Sequence, residues 1–317
     1  VPRHGQTRAY LLLVLIVSIW ASYPAMGKLA LRDFPPFFLA VVRCSIASAF
    51  LVGLLVRAGG EPFRQLSPAA WRAFLVLGIS GYWLSTQFSY LGYYFTTAAN
   101  AVILQTATPV LVAIGARVYL GERLSALQRS GAAVSVLGVL LVITNGRLAL
   151  LRPDEMRAGD FITVGALTGW AVYTVYGKRV LTRHSPEVAT TIAYVLGTLL
   201  MIPTAVVTAP FFPAPRLESA VAWSVVLYQA VIGALAHVWW YRAVNVVGPS
   251  IAAIFVNLQP VVGVALAWLV LAETIGTWQL TGGALVVAGV GIVTWGAPRG
   301  LRTRPPRPPT SGVTPAS

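Results

Sequence analysis

The sequence predicts an all-α integral membrane protein: ten transmembrane helices arranged as two inverted five-helix repeats. Three observations carry this. Of the 317 residues, 57% are hydrophobic and only 10% charged, against about 25% charged in soluble domains. The mean hydropathy is +0.74, and a water-soluble fold has no way to hide that much apolar surface. The apolar residues are gathered into runs of membrane-crossing length, and the second half of the chain repeats the first.

In chain order the runs lie near 9–29, 36–56, 72–92, 96–118, 126–145, 160–178, 188–208, 220–241, 248–271 and 277–296. Each approaches the 20 or so residues that a helix needs to cross the hydrocarbon core, and only helices satisfy so many backbone groups there at this length. The first run follows a basic start, "VPRHGQTRAY", as a secretory leader would. It is longer than a leader's apolar region of about 7–15 residues and no small-x-small site follows, so a retained first span is expected. The expected organisation is an N-terminal tail at 1–8, a first repeat at 9–146, a connecting loop at 147–159, a second repeat at 160–297 and a tail at 298–317. The last segment is basic and proline-rich and reads as disordered.

The net charge of +14 suggests nucleic acid at first sight, but the basic residues are scattered between apolar runs. That distribution suits membrane topology rather than phosphate binding. With ten spans both termini share a side. Sixteen lysines and arginines then fall on the side of the termini and six on the other, which makes the termini cytoplasmic. Cys44 is the one cysteine, so an internal disulfide and a thiolate cluster are excluded. His4, His184 and His237 are too dispersed to suggest a metal site, and no cofactor is expected.

The repeat is legible beyond composition. "WASYPAMGK" from Trp20 returns as "WAVYTVYGK" from Trp170, 150 positions later. Farther along the shift is 151: Pro109 meets Pro260, Glu122 meets Glu273, Gln128 meets Gln279, Gly131 meets Gly282 and Gly138 meets Gly289. A chance apolar likeness would align leucines and valines rather than these residues. Five spans per copy is an odd number, so the second copy enters the membrane from the opposite side. Inverted repeats of this kind hold substrate near the midplane and alternate its access to the two faces.

The runs "GERLSALQRSGAAVSVLGVLL" and "AETIGTWQLTGGALVVAGVGI", with Pro109 and Pro260 upstream and Trp20 and Arg43 near the start, resemble the EamA repeats of the drug/metabolite transporter superfamily. The resemblance covers nearly everything between residues 9 and 297. It implies a ten-helix carrier of small metabolites, often an exporter of amino acids or related compounds, in a bacterial inner membrane. Arg43 falls opposite Ala193 at the first shift, so any role it has is confined to one half.

Candidate substrate-binding residues follow from polarity at depth. The nine acidic residues read as loop or helix-end residues. A carrier of lipophilic cations would place a carboxylate within a span, so neutral, zwitterionic or anionic solutes are expected. Arg43 stands about 10 Å along its helix at 1.5 Å per residue. It is either a clamp for a substrate carboxylate or a residue snorkelling to the interface. His237 reads as a helix-packing residue, a substrate contact or a proton carrier. Asn100, Gln105 and Thr108 in the fourth span, with Asn257 and Gln259 in the ninth, surround Pro109 and Pro260. They either repair the backbone that proline opens or line a polar cavity. Trp20, Tyr23, Trp170 and Tyr173 lie below the depth of an interfacial belt and read as cavity lining, with Tyr82 and Tyr90 as further candidates.

Lys28 and Lys178 close equivalent helices, where a cation favours the helix dipole; the alternative is a pair of gates on opposite faces. Glu122 and Glu273 precede the fifth and tenth spans, with the same two readings. The expected function is therefore transport of small amino-acid-like metabolites by alternating access. The expected partners are a small-molecule substrate and the bilayer, with no nucleic acid; proton coupling and the choice between monomer and homodimer stay open. The competing readings are a membrane-embedded enzyme, for which no dyad or metal group is visible, and a scaffold or sensor, which would have a packed centre.

Overall fold

A computed structural model describes residues 4–58, 66–105, 107–120, 125–143, 146 and 158–295. Most of the expected loop at 147–159 and the tail at 298–317 lie outside these residues, as does Glu122. The described residues form ten helical passages. Six are continuous or nearly so: α3 (Pro36–Arg57), α8 (Ala126–Ile143), α9 (Ala158–Val180), α10 (Pro186–Thr208), α11 (Ala220–Val247) and α14 (Thr277–Trp295). Four are interrupted: α1 (His4–Ala21) with α2 (Tyr23–Ala30), α4 (Pro68–Leu77) with α5 (Ser85–Phe95), α6 (Ala98–Gln105) with α7 (Thr108–Leu120), and α12 (Pro249–Ile254) with α13 (Gln259–Leu271). Five passages, those spanning Thr7–Ala30, Pro36–Arg57, Ala98–Leu120, Pro186–Phe211 and Ala220–Val247, are long and apolar enough to cross a membrane by length and composition. The all-helical membrane fold is as expected from the sequence.

The interruptions have local causes. Pro24 has no N–H for the Trp20 carbonyl, and Ser22 Oγ donates to Ile19 O at 2.7 Å, so the first passage breaks at Ser22. Pro109 likewise withholds a bond from the Gln105 carbonyl, and Thr108 Oγ1 supplies one at 2.6 Å. The repair role expected of polar residues around that proline is thus performed by Thr108. In the ninth passage a 3₁₀ segment, Phe255–Leu258, precedes Gln259 and Pro260.

The third passage breaks differently. Between α4 and α5 the chain forms a π-helix over Gly78–Leu84. The repeat explains it. Ser67 caps α4 by accepting from Ala70 N, and Ser219 caps α11 by accepting from Ala222 N, 152 positions later. By Tyr90 and Tyr241 the shift has fallen to 151. The first copy therefore carries one extra residue between these points, and a π turn is how a helix absorbs it.

The two halves pack through equivalent elements. Helix α8 packs along α14 and α3 along α10, each pair sharing a place in its repeat, and α6 packs along α13, the second part of the passage equivalent to its own. A Cβ on Gly138 would lie 2.5 Å from Gly282 O, and one on Gly289 2.5 Å from Gly131 O. As the position on α8 advances, its neighbour on α14 recedes, so these helices run antiparallel, as inverted copies must. The small residues singled out in the sequence thus form the contact between repeats.

Candidate functional site

The interruptions of the first, fourth and ninth passages converge on a central cavity of about 100 Å³. Trp20 comes from the end of α1, Tyr23 from α2, Gln105 and Thr108 from either side of the break between α6 and α7, Val256 from the 3₁₀ segment and Gln259 from the start of α13. Irregular backbone is tolerated at membrane depth where it faces such a cavity. Helices α3, α9 and α11 contribute Arg43, Trp170 and His237. Helix α5 contributes Ser85, Thr86, Ser89, Tyr90 and Tyr93.

Arg43 is 2% exposed. Its Nη2 donates to Tyr194 OH at 2.9 Å and its Nε to Gln229 O at 3.3 Å, and the guanidinium carbon stands 5.6 Å from the Tyr23 ring centroid. This overturns snorkelling: the side chain is held inside the bundle. No carboxylate reaches it among the described residues. The Tyr194 ring packs against Tyr82 at a tilt of 36° with centroids 3.9 Å apart, which fixes the hydroxyl that receives the guanidinium.

Trp20 and Trp170, equivalent in the two repeats, meet edge to face at 5.1 Å, and the His237 ring lies 5.3 and 5.4 Å from them. Trp20 Nε1, Tyr23 OH and Gln259 Oε1 are buried without a hydrogen-bond partner among the described residues, and all three residues line the cavity. Leaving such groups unmet is costly, which suits a site that meets a polar solute.

Of the sequence candidates, Trp20, Tyr23, Arg43, Tyr90, Gln105, Thr108, Trp170, His237 and Gln259 are brought together here. Tyr82 and Tyr173 are not among the lining residues. They bond to each other, hydroxyl to hydroxyl, at 2.9 Å, and Tyr173 stacks on Tyr241 at 4.6 Å. Asn100 is elsewhere too. Its amide donates at 3.4 Å to Asp160, which also accepts from the Thr96 hydroxyl. The Asn257 side chain lies outside the described residues. Asp160 lies in the first turn of α9, a helix end as expected, but is 1% exposed, with Thr96 and Asn100 meeting its carboxylate.

Sequence reading missed Ser85, Thr86, Ser89, Tyr93, Tyr194 and Gln229. A signal existed for the first four. Together with Tyr90 they recur along one face of α5 at helical spacing, a polar stripe within an apolar run.

The two ends of the bundle differ. On the side where α2 ends, a vestibule of about 330 Å³ is lined by Lys28, Arg32, Tyr93, Tyr94 and Glu273 among others, and Tyr93 lines both it and the central cavity. Glu273 accepts from Ala98 N and Ala99 N, both at 2.9 Å. Its carboxylate therefore caps α6 rather than α14, the helix that follows it in sequence. At the other end Lys178 Nζ donates to Asn245 O at 3.0 Å and lies 3.4 Å from Val244 O, joining the ends of α9 and α11.

Two segments of the chain, residues 7–144 and 157–295, match the model of the EamA-like transporter family. An uncharacterized transporter of Archaeoglobus fulgidus is 30% identical over 91% of this chain and 98% of its own. A probable amino-acid metabolite efflux pump of Salmonella typhimurium is 26% identical, over 90% of this chain and 94% of the relative. A probable terminal-alkyne amino-acid exporter of Streptantibioticus cattleyicolor is 27% identical, over 90% and 93%. A solved crystal structure shares the fold with a TM-score of 0.65 at 20% identity, covering 92% of this chain and 99% of the other.

Proposed function

From the premise that this chain belongs to the EamA-like transporter family, and is therefore a membrane transporter, we propose that it exports small carboxylate-bearing metabolites of amino-acid type across an inner membrane. The observation that carries the reading is Arg43. A permanent charge inside a span costs at least a few kcal/mol unless it is paired or hydrated. Here it is buried beside a largely aromatic cavity that carries several polar side chains, with a hydroxyl and a carbonyl as partners. A solute carboxylate would supply the missing counter-charge through two parallel hydrogen bonds. The size of the cavity, about 100 Å³, favours small solutes over the drug-sized ligands that fill roughly 300–1,000 Å³. A central cavity with unpartnered polar groups also speaks against the packed centre of a scaffold. The names of the Salmonella and Streptantibioticus relatives favour amino-acid-like cargo and outward movement.

Alternating access is the mechanism that fits the unequal ends. Lys178 latches the end of α9 to the Val244 and Asn245 carbonyls. The residues equivalent to these two, 151 positions earlier, are Tyr93 and Tyr94, which line the vestibule beside Lys28. In the opposite state Lys178 lets go of these carbonyls and the vestibule end closes.

The test is exchange in proteoliposomes with an acid and its matched primary amide. Arg43→Gln should reduce acid exchange at least tenfold while the amide changes little, and Arg43→Lys should fall between. Equal losses for both solutes in both variants, at equal amounts of folded protein, would sink the clamp.

A further inference from the structure

His237 is 6% exposed and lines the same cavity as Arg43. Its Nδ1 lies 2.7 Å from the Gly233 carbonyl oxygen on the same helix. A carbonyl only accepts, so Nδ1 carries the proton, and the tautomer is set by the helix itself. The Tyr194 hydroxyl lies 3.3 Å from this same Nδ1 and receives the Arg43 guanidinium at 2.9 Å. Both contacts made by the imidazole thus fall on one nitrogen. Nε2 is the nitrogen left for a solute, and in the neutral ring it is an acceptor.

The consequence is a pair of unlike groups joined through one hydroxyl: a guanidinium that can only donate, and an imidazole nitrogen that accepts. The rings of Trp20 and Trp170 flank the imidazole at 5.3 and 5.4 Å, which restricts how a solute can approach it. Gly233 holds the arrangement open. A Cβ there would lie 1.9 Å from Tyr23 OH and 3.4 Å from Arg43 Nη2, so only glycine leaves room for both while its carbonyl anchors the ring.

Resting on the reading of Arg43 as the carboxylate clamp, we infer that His237 Nε2 accepts a hydrogen bond from an N–H group adjacent to the solute's carboxylate. The site thereby selects α-amino acids over simple carboxylic acids. A solute with the carboxylate but no neighbouring donor leaves Nε2 unmet, and a buried polar group without its partner is the kind of mismatch that discriminates strongly.

The inference is tested by counterflow in proteoliposomes with three matched solutes: an α-amino acid, the same acid lacking the amino group, and the amino-acid amide. Each variant is read as a ratio between two solutes, so differences in the amount of active protein cancel. Wild type should prefer the amino acid over the desamino acid about tenfold or more. His237→Asn keeps a donor near the Nδ1 position and loses the acceptor, so it should bring this ratio close to one. His237→Gln extends an amide oxygen toward the Nε2 position and should restore most of the preference. Neither should change the ratio of amino acid to amide, which belongs to Arg43. A wild-type ratio near one, or a ratio unmoved by His237→Asn, overturns the inference. So does loss of the preference in Gln259→Leu with retention in His237→Asn, which would make the unpartnered Gln259 Oε1 the acceptor. Failure of the clamp reads out separately, as indifference to acid against amide in wild type.

Discussion

Lys28 and Lys178 stand 150 positions apart at the ends of equivalent helices, yet one lines an open vestibule and the other bridges α9 to the last carbonyls of α11. Under the alternating access proposed above, the two copies would take up the same two local arrangements at opposite faces. The bond from Lys178 to Asn245 O, at 3.0 Å, favours the state in which that end is shut. Lys178→Ala removes it and should shift the population toward the state shut at the vestibule. A reporter cysteine at Leu31, which lines the vestibule, in a Cys44→Ser background should then react severalfold more slowly with a membrane-impermeant maleimide. An unchanged labelling rate would remove Lys178 from the gate.

The seam between α8 and α14 yields a stability prediction. A Cβ at Gly138 would lie 2.5 Å from Gly282 O and 2.7 Å from Val286 N, and one at Gly289 2.5 Å from both Gly131 O and Ser135 N. These are backbone atoms, so the helices must separate. Gly138→Ala and Gly289→Ala should each lower stability by about 1–3 kcal/mol, as overpacking does. Because the sites share one interface, the double variant should lose less than the sum. Gly53→Ala is the control: nothing lies within 4 Å of a Cβ there, so stability should hold or rise. Thermal unfolding in detergent separates these outcomes, and equal behaviour of all three variants would mean that the seam is not closely packed in solution.

The passages were legible because a crossing helix needs about 20 apolar residues in a row, and the repeat was legible because polar residues and glycines aligned within those rows. Apolarity carries no direction, however, and neighbouring helical positions differ by about 100° in facing. Tyr82 and Tyr90 therefore read alike in sequence, while one bonds to Tyr173 and the other lines the cavity. Arg43 could be found because a charge in a span is rare. Its partner Tyr194 could not, because the alignment put Ala193 opposite Arg43 and the contact depends on two side chains reaching across the seam. The π turn left a trace in the change of shift from 152 between Ser67 and Ser219 to 151 between Tyr90 and Tyr241. Composition alone does not reveal a single inserted residue.

Glu273 tests whether a cap contributed from a distant element holds the start of α6. Both carboxylate oxygens accept backbone N–H groups, from Ala98 and Ala99, at 2.9 Å, at the end of the helix where negative charge is favoured. Glu273→Gln keeps one acceptor and turns an NH₂ group toward the other N–H. The expected loss is about 1–2 kcal/mol. Hydrogen exchange should speed up first in the opening turn of α6, and the opening turn of α14 should keep its protection. Faster exchange at Thr277–Leu280 instead would return the residue to its own helix.

Tyr194 gives the sharpest test of how Arg43 is aimed. Tyr194→Phe removes one oxygen and keeps the ring, so the ring contact with Tyr82 at 3.9 Å survives. Arg43 then retains the longer bond from Nε to Gln229 O at 3.3 Å, which fixes the guanidinium less well than two contacts do. A positioning residue should raise the apparent KM for the acid severalfold, leave the maximal rate nearly unchanged, and leave the matched amide alone. A residue that only holds α3 to α10 would lower transport of acid and amide together, with a lower melting temperature. Restoring the hydroxyl from the neighbouring position, as Ala193→Tyr with Tyr194→Phe, should not rescue, because a turn of about 100° points that oxygen away from Arg43. Unchanged discrimination between acid and amide in Tyr194→Phe would show that the Gln229 carbonyl alone orients the guanidinium.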